Sequence, residues 1–399
     1  MQCLKSDLNL FLLFAKYSND TLEIRRRISK RKIYSYYLFF NLKTNTMLKK
    51  TLTAIMVISG VTSVMSQTDT AKKAAPAPST TFTYSVDAYY RYDFNDQLGN
   101  NKTSFTNSKN SFELGMASVR VDHSFGKIAA TADLGFGRRA EEFSYNDGVA
   151  FLPAYGNSFT TLAAVKQAYL SYAPSSAVKF TLGKWATHIG WELLDAYANR
   201  NYSMSYGFSY GPFSHTGLKA DISLGGKSAF MVGIANPTDN ATTTSGDKVV
   251  IAQFSTGSKD DKFKAYLNFQ GGNGFSQFDL VLNAVLSSKF NIDYDGTIKS
   301  VKAGGSTNSW SSNALYFNYD PTSKFGLTLR GEYFDDTKTV AGIGSSIFQT
   351  TLSGNIHLDN LTIIPEIRLD NAKDNIFSKN TGAGTKSDAS FVLAAVYKF

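Results

Sequence analysis

From Thr81 onward, apolar and polar residues alternate along the chain, the period-2 signature of a strand with one face in an apolar environment. In the stretch 263–270, Phe263, Ala265, Leu267 and Phe269 fall on one face and Lys264, Tyr266, Asn268 and Gln270 on the other. Phe278, Leu280, Leu282, Ala284 and Leu286 likewise oppose Gln277, Asp279 and Asn283. Phe325, Leu327, Leu329 and Tyr333 oppose Thr328, Arg330 and Glu332, and Phe391, Leu393, Ala395, Tyr397 and Phe399 share a face at the end of the chain. Sixteen segments read this way, near 82–93, 111–123, 127–137, 162–173, 177–185, 215–225, 227–236, 247–257, 262–270, 276–287, 289–295, 310–319, 324–334, 347–357, 361–370 and 389–399. Their lengths bracket the roughly 9–11 residues that a tilted strand needs to cross a bilayer. Segments 111–123 and 162–173 break phase, which leaves the facing of Arg120 and Lys166 open and the strand count between 14 and 18.

The connections alternate as well. Short ones such as "SFGK", "APSSA", "LGGK" and "LDN" take turns with longer ones at 94–110, 138–161, 186–214, 237–246, 271–275, 296–309, 335–346 and 371–388. Short turns on one side and long loops on the other predict an all-β chain, a transmembrane antiparallel up-and-down β-barrel. An even strand count puts both ends of the barrel on the short-turn side. Aromatics at strand ends (Tyr89, Tyr90, Tyr172, Trp185, Phe325, Tyr333, Phe334 and Tyr397) fit interfacial girdles. Pro365, inside "LTIIPEIRL", predicts a bulge, because a closed barrel has no free edge to hold a missing donor. A soluble sandwich or propeller alternates too, with its apolar face as a core.

The preceding residues separate these folds. From Met47 the chain reads "MLKKTLTAIMVISGVTSVMSQ", with a basic pair, a short apolar run and small residues before Gln67. That is the layout of a secretory signal peptide, assigned to 47–66. Residues 1–46 then read as an upstream extension from a start codon set too early, and 67–81 as a disordered Pro/Ala/Thr/Lys linker ahead of a barrel at 82–399. The net charge of +9 belongs to this front end: residues 1–66 hold 11 Lys+Arg against 3 Asp+Glu, and the remainder is nearly neutral. A nucleic-acid partner is therefore not expected. Cys3 is the single cysteine, so the body has no disulfide, zinc–thiolate or thiol chemistry.

Sixteen strands enclose a water-filled channel unless something plugs it, and only a short linker precedes the first strand. Passive diffusion of small polar solutes and ions is the expected role. The segment 186–214 stands apart, because it does not alternate and gathers His188, Glu192, Asp195, Arg200 and, just beyond it, His215. "GKWATHIGWELLD" and "YSMSYGFSYGPFSHTGLKADISL" (Tyr202–Leu224) resemble the OmpL-like outer-membrane β-barrel porin family, porin-2, and the likeness extends over most of 82–399. The resemblance implies that the third long loop folds into the barrel and narrows the pore. The five residues named are then candidate constriction groups, with the histidines adding pH dependence.

Lumen-facing candidates on the strands are Arg91, Lys219, Asp221, Lys264, Asp279, Arg330, Glu332, Glu366 and Arg368, a mixed set that predicts weak selectivity. No His-Glu-x-x-His motif is present, and catalysis, cofactors and metals are not expected. The alternative reading is a barrel whose Asn-, Ser- and Tyr-rich surface loops bind glycan or adhesion ligands. Expected partners are outer-membrane lipid and lipopolysaccharide, the barrel-assembly machinery through Phe399, and small solutes. The oligomeric state is open, with a homotrimer among the options.

Overall fold

A computed structural model describes residues 77–399 apart from 148–149, 153–156 and 160. The expected extension at 1–46, the signal peptide at 47–66 and most of the linker lie outside the described residues. Sixteen antiparallel strands close into one barrel. They are β1 (Ser79–Asp93), β2 (Ser111–Phe125), β3 (Ile128–Phe136), β4 (Val165–Tyr172), β5 (Val178–Ala186), β6 (Ser214–Gly225), β7 (Ser228–Ala235) and β8 (Val249–Gly257). The second half is β9 (Phe263–Gly272), β10 (Phe275–Val285), β11 (Phe290–Ala303), β12 (Ser306–Thr322), β13 (Phe325–Asp335), β14 (Ser346–Leu358), β15 (Leu361–Ala372) and β16 (Ser387–Lys398).

Closure is made by β1 on β16, from Ser85↔Lys398 to Asp93↔Ser390. Tyr84 and Phe399 exchange both backbone hydrogen bonds, at 2.9 and 3.0 Å, and their rings stack at 4.9 Å. The alternation has the expected sense. Phe82, Leu170, Leu182, Leu267, Phe278, Leu329, Leu352, Leu393 and Tyr397 point outward and are exposed, as lipid requires. Asn268, Gln270, Gln277, Asp279, Arg330, Glu332 and Glu366 are buried on the inner face.

Several expectations are corrected. β1 begins at Ser79, so Ser79–Thr81 pair with Ser124–Asp122 and are not linker. The stretches 271–275 and 296–309 are not long loops: β9 and β10 meet at a tight turn, and β11 and β12 run on to Ala303 and from Ser306. Of the girdle aromatics, Tyr89, Trp185 and Phe334 turn inward and are buried.

The two segments of broken phase have a common cause. The β1–β2 register shifts between Asp87↔Met116 and Ala88↔Leu114, which leaves Gly115 as the extra residue of a bulge. The β3–β4 register shifts between Asp133↔Gln167 and Leu134↔Val165, which leaves Lys166 as the extra residue and sends its side chain inward. Pro365 causes no bulge. It stays in register with Leu393, while the β14–β15 ladder lapses between Ser353↔Glu366 and Ile356↔Ile363 without slipping. Gly354 faces the ring there, so the absent donor costs one interrupted stretch.

Candidate functional site: the loop between β5 and β6

Residues 187–213 leave the long-loop rim at Ala186 and return to it at Ser214. Gly190 turns the chain with φ +92°, a conformation open to glycine at no cost. The segment then meets the inner wall strand by strand. Its backbone N–H groups need acceptors wherever water is excluded, and wall carboxylates supply them. Gly190 N donates to Asp279 Oδ1 at 3.1 Å and Trp191 N to Asp295 Oδ2 at 2.9 Å. Tyr202 N and Ser203 N donate to the two oxygens of Glu366, at 2.7 and 3.0 Å. Tyr206 N and Gly207 N do the same to Glu332, at 2.8 and 2.7 Å. Those last two donors open the short helix α1 (Tyr206–Tyr210), whose N-cap Ser205 accepts from Phe208 N at 3.1 Å. A carboxylate there meets the partial positive charge of the helix start as well as its free N–H groups.

Arg200 marks the far reach of the segment. Its guanidinium makes a bidentate pair with Asp320 (Nη2–Oδ1 2.5 Å, Nη1–Oδ2 3.1 Å), and Nε donates to Thr328 Oγ1 at 2.7 Å. Asp320 lies two residues before the end of β12 at the short-turn rim. The segment therefore descends most of the barrel height and climbs back.

The candidate residues are not gathered into one cluster. Glu192 pairs with Arg330 at 2.5 Å and accepts from Ser205 N at 2.8 Å. Asp195 pairs with Lys166 at 2.5 Å, and Lys166 also reaches Asp133 at 3.0 Å. His188 Nε2 donates to Phe269 O at 3.1 Å, and its ring lies 5.2 Å from that of His215, which is fully enclosed on β6. Burial pushes the His188 imidazole down to about 4, and the Lys219 charge acts in the same direction.

On the wall, Arg91 pairs with Asp93 and donates to Ser108 O. Arg368 pairs with Asp370 and donates to Met204 O at 2.7 Å. Lys219, midway along β6, pairs with Asp221 at 3.2 Å, and Lys264 is exposed near the short-turn end of β9. Thus Asp279, Glu332, Glu366 and Arg368, read from alternation as lumen charges, bind the loop.

Other residues that carry this arrangement were not singled out by pattern. Arg139, in the preceding long connection, lies between the rings of Phe105 and Tyr202, 5.0 and 4.9 Å from their centroids. It donates to Leu194 O at 3.0 Å and Tyr202 O at 3.2 Å. The Tyr202 hydroxyl donates to Asp87 at 2.5 Å. Asp295, Asp320 and Lys166 complete the set. Arg139 sits outside any alternating stretch, and Lys166 sits in a bulge, so periodicity carried no signal for either.

Two cavities flank the segment. One of about 140 Å³ lies between Trp191–Asn201 and β12, beside Tyr316 and Asn318. The other, about 710 Å³, opens among the long loops and is lined by residues of four of them, with Phe275 and Lys299 from the strands below. Among the described residues there is no cluster of three or more His, Cys, Asp or Glu that could hold a metal.

Solved structures share the architecture. An anion-selective porin from Comamonas acidovorans aligns with a TM-score of 0.54 at 12% identity, covering 81% of this chain and 100% of that one. A loop L8 deletion mutant of OmpT, an outer membrane protein of Vibrio cholerae, aligns with a TM-score of 0.54 at 13% identity, with 81% and 100% covered. At such identities the likeness shows the fold alone. No curated protein matches the chain. The model of the beta-barrel porin-2, OmpL-like family matches residues 79–399, the whole barrel, and the chain belongs to that family of outer-membrane porins.

Proposed function

We propose that this outer-membrane porin passes small polar solutes and ions by passive diffusion, with weak charge selectivity, through a lumen narrowed by the segment 187–213. The reading rests on one observation above all. A segment anchored at the long-loop rim places Arg200 on Asp320 beside the opposite rim, so any path through the barrel must run past it. Tyr202, Met204 and Tyr206 are shut off from water along the way.

Weak selectivity follows from pairing. Arg330 is matched by Glu192, Lys166 by Asp133 and Asp195, Lys184 by Asp147, and Arg368 by Asp370. A passing ion meets dipoles rather than a ring of one sign. The Arg200–Asp320 pair is about one third open to solvent and is the charged group of the segment that a solute would meet. In this reading Glu192 and Asp195 hold the constriction in place, His188 and His215 brace its first turn, and Arg200 lines it.

Reconstitution in a planar bilayer tests the proposal. Folded protein should give stable conductance steps in salt, and deletion of 190–210 should enlarge them. Silence of heat-modifiable, folded barrel would refute conduction. An unchanged step after the deletion would refute the narrowing.

A further inference from the structure

We infer that the cavity of about 710 Å³ among the long loops is a docking site for an uncharged oligosaccharide of about two sugar rings, deepening the channel reading by naming a solute class. The volume lies within the roughly 300–1,000 Å³ of ligand-binding clefts. Its walls combine flat apolar surfaces with polar groups of both kinds. Tyr145, Tyr210, Phe213 and Phe275 supply rings, Glu142 and Asp239 supply carboxylates, and Lys299 supplies an ammonium.

The charges select against ionic ligands. Lys299 Nζ lies 5.5 Å from the centre of the Phe275 ring and has no hydrogen-bond or ion-pair partner among the described residues. Its donors are unspent. Glu142 accepts from Phe105 N at 2.6 Å and Asn107 Nδ2 at 3.0 Å, and Asp239 accepts from Phe213 N at 2.6 Å, Ser214 N at 2.8 Å and the Tyr145 hydroxyl at 3.2 Å. These bonds fix both carboxylates in place and leave each with further lone pairs. Arg138 Nη1 also lies 3.9 Å from Glu142 Oε1, so two cations balance the two carboxylates and an ionic ligand of either sign meets like charge.

A polyhydroxylated neutral ring satisfies all three groups. Its hydroxyls donate to the carboxylates and accept from the ammonium, while its C–H faces lie on the tyrosine rings. The Tyr145 side is open, with about half of that residue exposed, so a ring can enter from the loop side.

The test is isothermal titration of maltose into the full-chain protein in detergent, with gluconate and glucosamine as charged comparators. Maltose should bind saturably and more tightly than either comparator. Lys299→Met keeps the stem that packs on Phe275, and Tyr145→Ala removes an exposed ring. Each should weaken maltose binding about tenfold, with heat-modifiable mobility retained as evidence of folding. Absence of saturable maltose binding, variants that bind as well as the parent, or a comparator that binds more tightly would each overturn the inference. Titration does not require conduction. Protein that binds maltose and is silent in bilayers defeats the channel reading alone, and protein that conducts and does not bind maltose defeats this inference alone.

Discussion

The Arg330 guanidinium on β13 meets the Glu192 carboxylate of the segment 187–213 at 2.5 Å, with both side chains closed to water. Arg330 also donates to Ser203 O at 2.8 Å, so one wall residue grips the segment at two points eleven residues apart. Removing one partner of such a pair strands the other as a buried charge, which costs about 3–5 kcal/mol. Glu192→Ala is expected to lower the temperature at which the barrel loses its heat-modifiable mobility and to make the current noisier. Glu192→Gln with Arg330→Gln removes both charges and should recover part of that loss. A double variant no more stable than Glu192→Ala would show that the pair is not what holds the segment.

Arg200 and Asp320 have equally good geometry in a wetter place, with side chains 33% and 39% exposed. Water screens such pairs, and they contribute about 0.2–1 kcal/mol. Arg200→Gln should therefore leave the melting temperature nearly unchanged. It should shift the reversal potential in a salt gradient toward cations, because it unmasks Asp320 on the proposed solute path. A large loss of stability with no change in reversal potential would place Arg200 among the anchors instead.

His188 offers a pH test with a definite sign. Burial holds its folded-state pKa at about 4, with Phe269 O pulling the other way and the Lys219 charge reinforcing the drop. The unfolded chain takes up a proton near pH 6.5, and the folded one refuses it until about pH 4. Stability is thus level above about pH 6.5 and falls as pH drops toward 4. His188 stays neutral through the neutral range, so its own contribution to ion selectivity should be the same at pH 8 and pH 6. His188→Asn should flatten the acid slope of the melting temperature. A variant with the parent's slope would mean that other groups set it.

The barrel was legible because lipid on one side and water on the other enforce opposite chemistries at successive residues. Leu267 and Asn268 could not trade places. The rule fails where that contrast ends. Beyond the bilayer a strand needs no apolar face, so the outer halves of β11 and β12, with Lys299, Ser300, Asn308 and Ser309, looked like loop although their ladder is continuous. Gly296 stands in mid-strand there, beside the Tyr294 ring. Bulges at Gly115 and Lys166 erased the phase in two further strands. The loop candidates were found by composition, which reports that charges are present and not which wall residue each one meets. Arg330, Glu332 and Glu366 are buried on the inner face, and their use as anchors appears only when the segment is folded against them.

Gly115 ties the bulge to the segment. A β-carbon at this position would overlap the Asp87 carboxylate and crowd the Tyr202 hydroxyl, the two groups that hydrogen-bond at 2.5 Å. Both are buried side chains with little room to move: Tyr202 is pressed between Tyr89, at 5.2 Å, and the Arg139 guanidinium. Gly115→Ala must displace the Asp87 carboxylate and with it the Tyr202 hydroxyl, and overpacking of this kind costs about 1–3 kcal/mol. Displacing Tyr202 also strains its neighbouring bond to Glu366, so the middle of the segment should loosen. The expected outcome is a lower melting temperature together with larger and more variable conductance steps. Gly115→Ala combined with Asp87→Ala removes the carboxylate that the new methyl group would overlap, and should restore part of the stability. Wild-type steps and melting in the single variant would show that the bulge is unconnected to the position of the segment.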